Sequence, residues 1–305
     1  MSKINLVFVV FAVLAFVCIT AGKNCETLNG TWYNQRGDEL YLERKSDGRL
    51  VGEYRTEEQR QNRSAVAHSA ALGTAPYDKP GVAFAFSVVW RNGTSATVWT
   101  AQCILCDGHE KLLTSWLQRY IVGTRKDIWE STRIGQDTFT RFEQSKSPKM
   151  NESTSISPPF VRRTIKIWDP EVKSKPCSLS GTWYNQLGYE TILNQKNDGV
   201  VEGEYRTAVE RRPGSAGKSF SKVLGIGRVG GPSSVFPFMV VWKGGSSVTG
   251  WLAQCFIQGE NKTEIVETTW LLRIKVDACI DNWKSTMFGQ DTFTHAEQRA
   301  GPRKK

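Results

Sequence analysis

The hexapeptide GTWYNQ stands at residues 30–35 and again at 181–186. GEYRT recurs at 52–56 and 203–207, VVW at 88–90 and 240–242, AQC at 101–103 and 253–255, and GQDTFT at 135–140 and 289–294. The offset rises only from 151 (Trp32 to Trp183) to 154 (Asp137 to Asp291). The chain therefore carries two copies of one domain that differ by a few loop residues. The copies are expected at 24–144 and 176–298 of the 305 residues. Each has about 120 positions, a usual size for a domain with its own core.

Outside the copies the composition changes. Residues 1–22 hold a single Lys (Lys3), an apolar run from Ile4 to Ile19 and then small residues. This is the pattern of a secretory signal peptide, too short for a membrane span. Residues 145–175, rich in Ser, Pro and basic side chains, read as a linker, although Val161, Ile165, Ile167 and Trp168 have the character to dock on a barrel, and Arg162-Arg163 resembles a processing site. Residues 299–305 form a basic tail. The expectation is a secreted chain without a membrane segment. Five Asn-x-Ser/Thr sequences (Asn29, Asn62, Asn92, Asn151, Asn261) agree with export. The formal charge of +10 falls to +9 when Lys3 leaves with the signal (10 − 1). Its basic residues are spread along the chain and its aromatics lie in apolar alternations, so a solvated surface is expected, with no nucleic-acid partner.

Export permits disulfides. Cys25 and Cys177 precede GTW in the two copies, and Cys103 and Cys255 close the two AQC motifs, so one bridge per copy is expected: Cys25 to Cys103 and Cys177 to Cys255. Cys18 leaves with the signal. Cys106 and Cys279 have no counterparts; they join the two domains, join two chains, or stay as thiols.

Short runs alternate apolar and polar residues with period two, separated by turns such as SDG (46–48) and NDG (197–199). Phe84, Phe86, Val88 and Trp90 share one strand face, as do Phe236, Phe238, Val240 and Trp242. Many antiparallel strands in 120 positions make a sandwich or a closed barrel. Five tryptophans per copy fall at matched positions: 32, 90, 99, 116 and 129, and 183, 242, 251, 270 and 283. Hydroxyls and amides share their faces, including Asn34, Thr56, Ser95 and Thr97. A sealed core would leave such groups unpaired at about 1–3 kcal/mol each. Apolar walls with a few placed polar groups instead describe a small-molecule pocket in a barrel mouth. The three His (68, 109, 295) do not repeat, which removes a duplicated His triad or metal site, and the Cys103-x-x-Cys106 spacing is not kept in copy two. A binding protein is expected, not an enzyme.

With GTWYNQLG (181–188), GEYRTAV (203–209), VVW (240–242), TTWLLR (268–273) and DNWKSTMFGQDTFT (281–294) in order, each copy resembles a domain of the avidin and streptavidin family. The resemblance covers nearly all of both copies. It implies an all-β fold of two eight-stranded antiparallel up-and-down barrels in tandem, biotin as the ligand with no cofactor, and either a homo-oligomer or pairing of the two barrels within one chain. Carried over by position, Asn185 and Tyr205 donate to the ureido oxygen, Asp291 and Thr207 accept from the ureido N–H groups, Thr249 meets the sulfur and Ser247 the carboxylate end. Trp242, Trp251 and Trp270 wall the ligand, and Trp283 is lent to a neighbouring barrel. In copy one these roles fall to Asn34, Tyr54, Asp137, Thr56, Thr97, Ser95, Trp90, Trp99, Trp116 and Trp129. Two departures stand out. Where the family places a small donor, copy one has Asp38 and copy two Tyr189; where copy two keeps Ala208-Val209 in the loop over the ligand, copy one has Glu57-Glu58. A carboxylate facing the ureido oxygen weakens binding, so copy two is expected to be the better site.

Overall fold

A computed structural model of the chain describes residues 25–57, 69–77, 79, 81–144, 177–208, 210, 213–217, 220–227 and 234–299. The signal segment, the linker with its apolar and Arg-Arg stretches, Glu58, Asn62 and Asn151 lie outside them, as does all of the tail but Arg299.

Sixteen strands form two closed antiparallel barrels. The first contains β1 (Gly30–Asn34), β2 (Glu39–Arg44), β3 (Arg49–Arg55), β4 (Ser69–Thr74), β5 (Ala83–Trp90), β6 (Ser95–Cys106), β7 (His109–Tyr120) and β8 (Thr132–Thr140). The second repeats the order with β9 (Gly181–Asn185), β10 (Glu190–Gln195), β11 (Val200–Arg206), β12 (Ser221–Ile226), β13 (Val235–Trp242), β14 (Ser247–Gln258), β15 (Thr263–Ile274) and β16 (Thr286–Thr294). Each strand pairs with its sequence neighbours, and closure comes where Asn34 faces Phe139 and Asn185 faces Phe293. Of the two architectures the alternation allowed, the chain adopts the barrel, which leaves no open sheet edge.

Alternation sends one side chain in two inward. Trp32, Leu40, Leu50, Tyr54, Phe86, Trp99 and Phe139 fill barrel 1, and Trp183, Leu193, Val201, Tyr205, Phe238, Trp251 and Phe293 fill barrel 2. The disulfides Cys25–Cys103 and Cys177–Cys255 tie the lead-in segments to β6 and β14, with Cα separations of 5.7 and 6.2 Å that suit a bridge.

The outward faces of β5 and β6 are apolar too, and they are covered by the other barrel. Ala83 and Ala85 cluster with Met239, Val241 and Val248, and Ala96, Val98 and Leu117 with Val235, Leu252 and Leu271. The contacts come in pairs related by the repeat. Gln102 Nε2 donates to Val276 O (2.6 Å) while its Oε1 accepts from Val276 N (2.9 Å). Its counterpart Gln254 does the same to Val122 (2.7 and 3.2 Å). The third disulfide, Cys106–Cys279, belongs to this scheme and settles the pairing left open above: both sulfurs lie in one chain and join the barrels. Its repeat-related counterpart is the hydrogen bond from Arg125 Nη1 to Gln258 Oε1 (2.8 Å). At the centre, equivalent positions 98 and 250 meet. A Cβ on Gly250 would lie 2.5 Å from Val98 Cγ2, so the approach of β14 to β6 needs a glycine there.

Candidate functional site

One mouth of barrel 2 opens on a cavity of about 340 Å³ lined by Tyr189, Tyr205, Thr207, Trp242, Ser247, Thr249, Trp251, Trp270 and Asp291. Nine of the residues singled out from the sequence thus meet on one surface. Leu187, Leu272, Met287, Glu210, Ser215 and Ala216 complete it. The last three belong to the loop after β11, where Glu210 accepts from Gly214 N (2.7 Å) and Ala216 N (2.9 Å) and so shapes the segment beside the mouth. Nothing periodic marks a loop residue as a pocket residue, whereas Leu187 directly follows the repeated GTWYNQ motif at a position where the copies differ.

The walls are aromatic and mutually braced. Phe238 stacks on Trp251 (5.0 Å, 6°), Trp251 on Tyr205 (5.3 Å, 29°), and Tyr205 meets Trp242 edge-on (5.5 Å, 86°). Trp270 lies against Gly289, where a Cβ would come within 2.3 Å of its ring. Polar groups stand at fixed points among these rings. Trp242 Nε1 donates to Thr249 Oγ1 (2.8 Å), which leaves the threonine hydroxyl hydrogen to be donated elsewhere. Trp251 Nε1 donates to Asp291 Oδ2 (3.3 Å) and Gln186 Nε2 to Asp291 Oδ1 (3.3 Å). Burial raises the Asp291 carboxyl above its ordinary 3.8, and burial likewise pushes the Tyr189 hydroxyl up to about 12, so Tyr189 keeps its proton at neutral pH.

Two donors make no hydrogen bond. Asn185 is fully buried at the end of β9; its Oδ1 accepts from Leu187 N (3.0 Å) and Tyr189 N (2.9 Å), but its Nδ2, which faces the Asp291 carboxylate, makes no hydrogen bond of normal geometry, and neither does the buried Tyr205 hydroxyl. Orphaned buried donors are costly, and an acceptor brought by a ligand relieves the cost.

Barrel 1 builds the same frame around different chemistry. Its cavity of about 290 Å³ is lined by Asp38, Tyr54, Thr56, Trp90, Thr97, Trp99 and Trp116, with Arg36 and Gln118 where barrel 2 has Leu187 and Leu272. Tyr54 stacks on Trp99 (5.1 Å), and Trp90 Nε1 donates to Thr97 Oγ1 (2.9 Å) as its counterpart does. Here the donors are taken. Asn34 Nδ2 (2.9 Å) and the Tyr54 hydroxyl (2.8 Å) both donate to Asp38 Oδ2. Arg36 Nη2 lies 2.9 Å from Asp137 Oδ2 and 3.3 Å from Asp38 Oδ2. Asp38, expected to face a ligand oxygen, instead bonds directly to Asn34 and Tyr54, the side chains expected to donate to that oxygen.

Not every residue expected at the sites lines a cavity: Asn34, Asp137 and Asn185 are buried without forming part of the lining. Ser95 is buried beside the first cavity without lining it, and the Trp129 side chain lies outside the described residues. Trp283 lines neither cavity and is 76% exposed, on one short helical turn with Ile280 (82%); Phe288 on β16 is exposed as well (66%).

Comparison with known proteins adds four findings. The sequence profile of the Avidin family matches residues 22–142 and 173–296. Fibropellin-1 of Strongylocentrotus purpuratus is 42% identical over 127 residues, covering 40% of this chain and 11% of that protein, so this chain spans only a small part of that relative's length. Avidin-related protein 7 of Gallus gallus is 37% identical over 132 residues, 43% of this chain and 86% of that protein. Among solved structures, Xenavidin is 34% identical and covers 40% of this chain and all of its own, with a TM-score of 0.37.

Proposed function

The chain belongs to the avidin family, and from that premise we propose that it is a secreted, non-catalytic protein whose second barrel binds biotin. The observation that carries this reading is the pair of orphaned donors, Asn185 Nδ2 and Tyr205 Oη, in the same barrel end as the buried acceptor Asp291. A cyclic urea carries the complement: one carbonyl oxygen that accepts from two donors, and N–H groups that donate to a carboxylate. Thr207 takes the second N–H, Thr249 and Ser247 meet the sulfur and carboxylate ends, Tyr189 donates at the rim, and Trp242, Trp251 and Trp270 exclude the water that would otherwise compete. Barrel 1 offers an acceptor, Asp38, where the urea oxygen needs donors, and takes no part in tight binding.

Calorimetric titration of the full chain with biotin tests the reading. One site per chain is expected; no heat, together with failure to hold on a biotin resin, overturns it. Acidification is a second test. Asp291 protonates above the ordinary 3.8 because burial disfavours its charge. Protonation costs the site its anionic acceptor, so affinity is expected to fall as pH drops through that raised pKa, by up to about tenfold per pH unit where this group alone titrates. Stability of the ligand-free barrel moves the opposite way. A carboxyl whose folded pKa is raised contributes stability that is present below its unfolded pKa and is lost as pH rises through the folded value. Affinity that stays flat from neutral pH down to 3.8 overturns the role of Asp291.

The exposed Trp283, Ile280 and Phe288 support a partner surface on which a second chain seats, lending Trp283 across and bringing four barrels together. Trp283→Ala is expected to halve the mass measured by light scattering, and a wild-type chain that already has the mass of one copy excludes the pairing. A second reading, in which the barrels serve chiefly as an assembly module, is favoured by the filled pocket of barrel 1 and by the apolar interface between the barrels. A folded chain that holds no biotin would establish it over the first.

A further inference from the structure

The polar end of barrel 1 is built around two buried carboxylates, Asp38 and Asp137. Asp38 Oδ1 accepts from Glu57 N (2.9 Å), and its Oδ2 holds the Asn34 and Tyr54 donors. Asp137 Oδ1 accepts from Gln35 Nε2 (3.2 Å), and its Oδ2 accepts from Trp99 Nε1 (3.2 Å). Both carboxylates are buried. Into this end reaches one planar cation: Arg36 Nη2 contacts Asp137 Oδ2 at 2.9 Å and Asp38 Oδ2 at 3.3 Å, and the guanidinium carbon stands 5.6 Å from the centre of the Trp116 ring. A urea placed there would turn its oxygen toward Asp38. A guanidinium has no acceptor to misplace and presents N–H groups around its plane.

We propose that the pocket of barrel 1 is a guanidinium site, which the chain fills with its own Arg36 and which takes an alkylguanidinium cation in preference to a neutral urea. Two carboxylates and an aromatic face are the elements that recognise such a cation. The backbone does not dictate the difference from barrel 2, because the turn is held alike in both: Asn34 Oδ1 accepts from Arg36 N and Asp38 N (both 2.9 Å), as Asn185 Oδ1 does from Leu187 N and Tyr189 N (3.0 and 2.9 Å). Two side chains, Arg36 with Asp38 against Leu187 with Tyr189, convert a pocket with free donors into one whose two carboxylates lose their cation once Arg36 withdraws. The Arg36 side chain is 48% exposed against 11% for Asp38 and 1% for Asp137, so it enters from the solvent side and has room to leave. As a tethered group it competes with a free cation at an effective concentration in the millimolar range.

The test is titration of full-length Arg36→Ala with methylguanidinium and, separately, with methylurea, at constant ionic strength. One methylguanidinium site per chain is expected in the variant, at least tenfold weaker binding in the wild type, and no methylurea binding in either. Adding Asp137→Asn to Arg36→Ala is expected to abolish the site. A folded Arg36→Ala chain that gives no methylguanidinium heat, that binds methylurea equally, or that still binds the cation after Asp137→Asn overturns the proposal. Arg36→Leu, which copies the residue at 187, serves if the alanine variant fails to fold. The outcome is independent of whether barrel 2 binds biotin.

Discussion

Tyr205→Phe combined with Asp291→Ala is expected to weaken biotin binding roughly thirty-fold to ten-thousand-fold without harming the fold. The substitutions remove one orphaned donor and one anionic acceptor, each worth about 1–3 kcal/mol to a ligand that would pair with it. Their sum of about 2–6 kcal/mol converts to that range at 1.4 kcal/mol per decade. The ligand-free protein is expected to stay folded but to lose some stability: the Tyr205 hydroxyl has no partner to lose, whereas Asp291→Ala leaves the buried Trp251 Nε1 without its acceptor, a cost of about 1–3 kcal/mol that removal of a carboxyl held unfavourably by burial offsets in part. The equivalent change in barrel 1 should differ: Tyr54→Phe deletes a 2.8 Å bond to Asp38 and is expected to destabilise that barrel by about 1–3 kcal/mol. Calorimetry and chemical denaturation read both effects. A double variant that unfolds, or that binds biotin as the wild type does, would show that the two groups are structural.

Cys106→Ser with Cys279→Ser is the variant expected to cost most in stability. The bridge spans 173 residues of sequence, and cross-links that close long loops restrict the unfolded chain most; removing a native one typically costs about 2–5 kcal/mol. The barrels stay tethered by the main chain and by the paired Gln102–Val276 and Gln254–Val122 bonds, so the loss should appear as a lower denaturant midpoint with both barrels still folded. An unchanged midpoint would show that the interface holds without the covalent link.

Much of this architecture was legible in the sequence because the repeat supplied an internal alignment. Alternation in AFAFSVVW and VFPFMVVW marked the inward face, matched cysteines gave two bridges, and motif order placed Tyr205, Thr249 and Asp291. What the alternation also contained, and period two conceals, is that Ala83, Ala85 and Val89 on the outward face are apolar as well. A strand apolar on both faces is covered on both, and here the second cover is the other barrel. Cys106 and Cys279 could not be paired by comparing copies, since their counterparts are Gln258 and Arg125, which satisfy the equivalent contact by a hydrogen bond. Arg36 and Asp38 illustrate a different limit. Sequence showed a charge where a donor was expected, but only distances show that it bonds to the donors themselves.

The meeting of Val98 with Gly250 has a consequence for the history of the chain. Two freshly duplicated barrels are interchangeable: each can associate with a twin as readily as with its neighbour. With valine at this position in one copy and glycine in the other, a first barrel set against another first barrel would bring valine onto valine in a space that admits only one. The constraint is one-sided: a second barrel set against another second barrel would bring glycine onto glycine, so it is the first barrel, through its own Val98, that is fitted to an unlike partner.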